Sequence, residues 1–331
     1  MGAEFLVFPG SEFARPVSIL AMSLPLVAIL SCKTSRRPVI AVVPETTAQE
    51  VWESEHAGAE NAAHALGWDV YWNGPSREDD FSRQIQIVHE VVERNVAGLI
   101  LSPDHAVALI SPVRSALARR IPTVIVGSPL GATPGGNLVF VVNDDTATGR
   151  LAAERASSYL RRTDTVAILG VNPNILGSIE RTDALEASLR GRFSTIRIIE
   201  RRSITFSFAE AEETAEETIR SFRGLRVMVA LNVVQTRAAA RALQQTKSDR
   251  IVLIGCDQDL DLMHYLRSGD IDAVIAENTY AMGREAVQII HRQLQGEPTD
   301  PKVVLQPLLI TRENIDSARV QQVLDMNWRV P

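Results

Sequence analysis

The sequence predicts an α/β protein made of two doubly wound parallel sheets. Short β-branched runs alternate with helix-like segments from Pro38 to Leu294, joined by short connections. The chain has 331 residues, beyond the ~250–300 at which a single core stops growing. The strand-like runs also outnumber what one comfortable sheet holds, so they divide between two.

The elements follow in order. Pro38–Val43 (PVIAVV) is a continuous β-branched run, the mark of a strand buried on both faces. Gln49–Leu66 is helical in composition and stops at Gly67. Trp68–Trp72 reads as strand, Asp79–Arg94 as helix, Ala97–Leu101 as strand, Val107–Arg119 as helix and Pro122–Val126 as strand. Leu138–Val142 is a strand, Thr146–Arg161 a helix, Val166–Leu169 a strand and Ile175–Leu189 a helix. Then come Ile196–Glu200 (strand), Ala209–Phe222 (helix), Val227–Ala230 (strand), Gln235–Gln245 (helix) and Ile251–Ile254 (strand). Leu260–Arg267 (helix), Ala273–Ala276 (strand) and Ala281–Leu294 (helix) complete the series.

Composition narrows the function. A 45% hydrophobic and 22% charged chain has ample core, and a formal net charge of −6 argues against a nucleic-acid surface. No run after residue 40 approaches the ~20 apolar residues of a membrane span. Pro16–Leu30 is uncharged, follows Arg15 and contains Pro25, which suits the core of a signal peptide at 1–31 better than a spanning helix. The Ile29-Leu30-Ser31-Cys32 sequence that ends it resembles a bacterial lipobox, which implies lipidation of Cys32 and a short polar tether, 32–37. The only other cysteine, Cys256, lies in the apolar run IVLIGC and reads as a buried small hydrophobe.

In open α/β sheets a ligand lies beyond the carboxyl ends of the strands. Residues there include Glu45, Ser128, Asn143, Asn172, Asn232, Asp257 and Glu277, rich in hydrogen-bonding groups and without a reaction centre. No GxSxG, GxxxxGK[ST], HExxH or GxGxxG occurs, and the six histidines show no metal spacing. Gly131–Gly136 reads as a loop, and the carboxylate pairs Asp79-Asp80 and Asp144-Asp145 read as helix caps. The expectation is therefore no enzyme, no cofactor and no metal.

Seven passages, GAENAAHALGWDV, VAGLILSP, IPTVIV, NDDTATGRLAA, ERTDALEASL, IVLIGCDQD and IDAVIAENTYAMGREAV, occur in an order that resembles the class I periplasmic sugar-binding proteins of ribose, galactose and xylose type. The resemblance covers Pro38 to Arg312. The effector domain of lac-repressor-family regulators shares that fold, but the leader and six residues before the first strand leave no room for a helix-turn-helix. The resemblance implies periplasmic-binding-protein type I architecture: Rossmann-like lobes at 38–142 with 278–305 and at 143–277 with 306–331, joined by a three-strand hinge. It implies a monomer in the periplasm or cell envelope that clamps a small-molecule ligand, a sugar, polyol or aminosugar, and delivers it to the permease subunits of an ABC importer, while the lipobox implies that it is lipid-anchored to a membrane. The alternative is presentation of ligand to a chemotaxis receptor or sensor kinase.

Carried over residue by residue, the resemblance implies ring stacking by Trp52, an amide contact from Gln49 and a fork donor in Arg181. Phe206, or Phe208 by a two-residue shift, matches a second aromatic wall. Asn232 and Asp257 match an amide and a carboxylate after successive strands, with helix capping as their competing role. Two departures matter. Gly127-Ser128 stands where ribose-type members carry Asp-Arg, and Glu277 stands at a glutamine-like position. With Glu45 as a further carboxylate, the expected pocket is more acidic than in a ribose binder and roomier at Gly127, which leaves a larger sugar, a polyol and an amine-bearing ligand open.

Overall fold

The computed structural model describes residues 37–77 and 79–324. The expected signal peptide, Cys32 and the tether up to Arg36 lie outside the described residues.

The first lobe begins with β1 (Val39–Val43), α1 (Glu50–Ala65), β2 (Asp69–Trp72), α2 (Phe81–Glu93), β3 (Gly98–Leu101), α3 (Ile110–Ala118), β4 (Thr123–Gly127) and β5 (Leu138–Asn143). The chain then crosses to a second lobe of α4 (Asp145–Ser157), β6 (Thr165–Val171), α5 (Leu176–Arg192), β7 (Arg197–Arg202), α6 (Phe208–Ser221), β8 (Leu225–Ala230), α7 (Val233–Thr246), β9 (Val252–Cys256), α8 (Leu260–Ser268) and β10 (Ala273–Ala276). It returns to the first lobe with α9 (Thr279–Leu294) and β11 (Lys302–Leu305), and crosses a third time to β12 (Leu308–Thr311) and α10 (Ala318–Val323). The sheet orders are β11-β5-β4-β3-β1-β2 and β12-β10-β9-β8-β6-β7.

Alternation of side chains along each central strand explains why helices cover both faces. Ile40 and Val42 pack with Met282, Val287 and Ile290 of α9, whereas Ala41 and Val43 pack with Ile87 and Val91 of α2. In the second sheet Val166 and Ile168 meet Ala152, Leu185 and Leu189, while Ala167 and Leu169 meet Ala239, Leu243 and Leu262. A strand buried on both faces must be apolar at every position, and these are. Glycine sets the closest helix contact. A side-chain carbon on Gly58 would overlap the Tyr280 carbonyl and one on Gly283 the Glu55 carbonyl, so α1 and α9 pack backbone to backbone.

Three features differ from the sequence expectation. The run Lys302–Thr311, for which only a hinge crossing at Leu305-Gln306 was expected, holds two strands broken at Gln306-Pro307, and they sit at the edges of different sheets. Their short length, and in β11 its exposed alternate residues, hide them, since neither is buried on both faces along its whole length. β12 also runs antiparallel to β10, with Ala273 opposite Thr311, so the second sheet is not wholly parallel. The third is a short final helix, α10.

The crossings lie side by side. Asp144, after β5, donates its backbone N–H to the Leu305 carbonyl at 2.9 Å, and Gln306 Nε2 donates to Asp144 Oδ2 at 3.1 Å. The carboxyl ends of both sheets face one cleft bordered by these passages.

Candidate functional site

The cleft holds a cavity lined from both lobes. Gln49 and Trp52 enter from the start of α1, Ser128 follows β4, and Phe206 precedes α6. Asn232, Asp257 and Glu277 follow β8, β9 and β10, and Arg181 projects from α5. All eight residues selected from the sequence thus line one cavity. Phe208, the alternative to Phe206, is not among the lining residues; its ring faces the Arg241 guanidinium at 5.8 Å. Glu45, Asn143 and Asn172 join from other strand ends. Val51, Ile175 and Ser178 were not singled out from the sequence; they are helix-terminal residues whose approach depends on how the lobes meet.

Arg181 is the electrostatic centre. The residue is 9% exposed. Its Nε donates to Asp145, one Nη donates to Asp257 Oδ1 at 2.9 Å and to the Leu231 carbonyl at 3.2 Å, and the other donates to Glu277. Of the five N–H donors of a guanidinium, protein groups therefore occupy most. Burial works against its charge, but Asp145 and Asp257 outweigh that and hold its pKa well above the ordinary arginine value. Burial raises the Asp257 pKa, and the charge and hydrogen bond of Arg181 pull it back.

Asp145 corrects an expectation. Asp144 caps α4, accepting from Ala147 N–H at 2.8 Å, but Asp145 is 1% exposed and is the ion-pair partner of Arg181. Two consecutive aspartates cannot both cap one helix; the second turns inward. Asn232 combines both roles weighed for it. Its Oδ1 caps α7 through Gln235 N–H at 2.9 Å while the residue lines the cavity. Asp257 caps nothing: Asp259 caps α8, accepting from Leu262 N–H at 2.7 Å. Asp257 instead adopts φ 64°, a left-handed conformation that aspartate tolerates better than most residues, and so turns its carboxylate back towards Arg181.

The aromatic side is less saturated. Trp52 is 7% exposed, and its Nε1 has no hydrogen-bond partner. Gly127, at φ 72°, lies beside the indole; a side-chain carbon there would reach within 3.9 Å of the ring. Glycine at this position permits the turn and keeps a side chain off the edge of the ring. The void measures about 70 Å³ as room for water centres, which at ~10–15 Å³ each is five to seven waters.

Direct bonds also join the lobes around the cavity. Gly177 N–H donates to Ser128 Oγ at 2.9 Å, Ala106 N–H to the Asn174 carbonyl at 2.9 Å, and Leu260 N–H to Glu50 Oε2 at 3.1 Å. Cys256, behind Asp257, is fully buried, and burial raises its thiol to about 12, so it stays protonated. Among the described residues no group of three or more His, Cys, Asp or Glu is arranged to hold a metal, and no helix is long and apolar enough to cross a membrane.

Two α/β lobes that share one polar cavity at their facing strand ends, with the chain crossing three times beside it, define a bilobal receptor-type fold. The chain belongs to the periplasmic binding protein domain family, whose model matches residues 40–298. The D-apiose import binding protein of Paraburkholderia graminis is 24% identical over 288 residues, 83% of this chain and 88% of the relative. The D-allose-binding periplasmic protein of Escherichia coli is 24% identical over 258 residues, 76% and 82% of the two chains. These relatives are binding proteins rather than enzymes. Among solved structures, a carbohydrate transporter solute-binding protein of Agrobacterium radiobacter in complex with D-arabinose matches with TM-score 0.81 at 21% identity, covering 88% of this chain and 100% of that one. A solute-binding protein of Agrobacterium vitis with bound D-fucose gives 0.80 at 23% identity, covering 87% and 100%. The sugar-binding fold of periplasmic binding protein type I is therefore that of this chain.

Proposed function

We propose that this protein captures one monosaccharide-sized sugar or sugar-like solute between its lobes, outside the cytoplasm, and delivers it to an ABC importer without chemical change. The observation that carries this is the shared cavity: an aromatic face, amides and carboxylates converge on it from both lobes, so neither half is complete alone. Such a mix of a flat apolar wall and convergent polar groups suits a ring with hydroxyls on its rim and C–H groups on its face. The size of the void favours one ring over two. The sugars named for the relatives support the class of ligand without fixing its identity.

In this reading residues 38–142 with 278–305 and 143–277 with 306–331 move as rigid lobes about the three crossings. Residues 1–31 direct export and are removed, Cys32 carries the lipid, and 32–37 tether a monomer to the membrane. The catalytic alternative has no support in the cavity, whose most perturbed groups are saturated by one another.

A thermal-shift screen of pentoses, hexoses, polyols and aminosugars tests the capture of a sugar. A ligand at 100 times its Kd adds about 2.7 kcal/mol, or roughly 5–10 °C for a chain of this size. The absence of any shift across the panel at millimolar concentration would count against it. The anchor has a separate test: Cys32→Ala should move the protein from the membrane fraction to the soluble one.

A further inference from the structure

The bonds that join the lobes beside the cavity fall on the starts of two helices of the second lobe. α5 begins at Leu176 and α8 at Leu260, so Gly177 and Leu260 stand in first turns. Backbone N–H groups there have no partner within the helix. The residues that precede these helices do not cap them at those positions. Ile175, before α5, offers no side-chain cap, and Asp259, before α8, accepts from Leu262 instead.

The first lobe supplies the acceptors. Ser128 Oγ accepts from Gly177 N–H at 2.9 Å, and Glu50 Oε2 accepts from Leu260 N–H at 3.1 Å. A hydroxyl and a carboxylate are groups that helix starts favour, the second also for its charge against the helix dipole. The charge of Asp259 opposes the approach of Glu50, but Arg237 pairs with that aspartate. The start of α5 is held a second time. Ala106 N–H donates to the Asn174 carbonyl at 2.9 Å, and the Ala106 carbonyl accepts from Gly131 N–H at 2.8 Å. The loop of Ser128 and the loop of Ala106 are thereby tied together within the first lobe. Gly177 makes the approach possible: a side-chain carbon there would overlap Asp145 Oδ2 and stand 3.2 Å from Ser128 Oγ.

We infer that Ser128, Glu50 and Ala106 form a latch that holds α5 and α8 across the cleft, sustains a closed population by protein contacts alone and sets affinity through closure. Ser128, expected from the sequence to touch the ligand, is then a closure residue whose hydroxyl serves the opposite lobe. This goes beyond solute capture and does not depend on which sugar is bound.

Amide hydrogen exchange followed by NMR on the full chain, with no sugar added, tests it. Both amides are protected only while the lobes meet, so each reports the same opening. Removing one bond should lower the closed-to-open ratio about fivefold, the equivalent of about 1 kcal/mol. Ser128→Ala should therefore speed exchange about fivefold at Leu260, whose acceptor it leaves in place. Glu50→Ala should do the same at Gly177, and the double variant should show a larger radius of gyration in solution scattering. A Leu260 amide unmoved by Ser128→Ala, or a Gly177 amide unmoved by Glu50→Ala, would mean separate local caps and overturn the latch. Wild-type amides that exchange as fast as unprotected peptide at both positions would overturn it too. Neither result touches sugar capture, which the ligand screen decides.

Discussion

Replacing Arg181 by glutamine isolates what the guanidinium does. Arg181→Gln keeps a polar side chain of similar reach but leaves Asp145 (1% exposed), Asp257 and Glu277 (6% exposed) without their shared positive charge. Removing one partner of a buried pair costs about 3–5 kcal/mol, because an uncompensated charge stays behind. Three partners on one guanidinium place the loss at the upper end. At roughly 2–4 °C per kcal/mol for a chain of this size, Tm at pH 7.5 should fall by about 10–20 °C.

The sign of the pH dependence follows from the same geometry. Burial raises the Asp257 pKa, and without Arg181 the charge and hydrogen bond that pull it back are gone, so its folded-state value lies further above the unfolded one. The stability tied to Asp257 is then fully present below its unfolded value, near 4, and is lost as pH rises through the raised folded one. The deficit of the variant should therefore be small at pH 5 and grow toward pH 8. Thermal melts followed by circular dichroism across that range give both numbers. A variant that melts within about 2 °C of wild type at pH 7.5, or a deficit independent of pH, would refute the claim that Arg181 balances buried carboxylates.

Three further outcomes are expected. Asp257→Ala and Trp52→Ala should each weaken ligand binding at least ~10-fold by calorimetry, the first through a lost acceptor and the second through lost stacking; near-wild-type affinity in folded variants would remove those residues from the site. Ligand should reduce the radius of gyration in solution scattering if the lobes close about the three crossings, and an identical profile at saturation would mean a rigid receptor. Glu55 is fully buried, accepts from Ser102 Oγ at 2.9 Å, and is raised by burial from 4.5 to about 8. Its contribution to stability is complete below pH 4.5 and lost as pH rises to 8, so Glu55→Gln should match wild type at the low end and exceed it by several kcal/mol at the high end in urea melts.

The central strands were legible in the sequence because a strand buried on both faces has no freedom in composition: PVIAVV and IVLIGC can hardly be anything else. The edge strands β11 and β12 were not, because four-residue strands buried on at most part of their length carry no such signature. The candidate site divides along the same line. Asn232, Asp257 and Glu277 follow strands that announce themselves, so topology alone brings them to one edge. Ile175 and Ser178 lie at a helix start whose position depends on the packing of α5 on α4, where Gly149 lets the backbone of Arg181 approach. Asp145 was hidden by its neighbour, since Asp144 satisfies the capping signal and nothing local says which way the next carboxylate turns.

The placement of that carboxylate joins the charge of the site to its mechanics. Asp145 comes two residues after Asn143, at the first crossing, and Glu277 stands immediately before the second, where Asn278 caps α9. Arg181 bonds to both, so two of its three carboxylate partners are themselves hinge-flanking residues. A ligand group that bonds to Glu277 would therefore pull on the passage between lobes rather than on a distant wall. The cross-lobe bonds at Ser128, Ala106 and Glu50 contain no ligand atoms and are available whenever the lobes meet. Neutral or exposed hydrogen bonds of this kind contribute about 1 kcal/mol each against the ordering of two lobes, so ligand contacts to both sides add directly to the closed arrangement. Binding and closure then share one set of residues, and any substitution at Glu277 should change affinity and the closed population together.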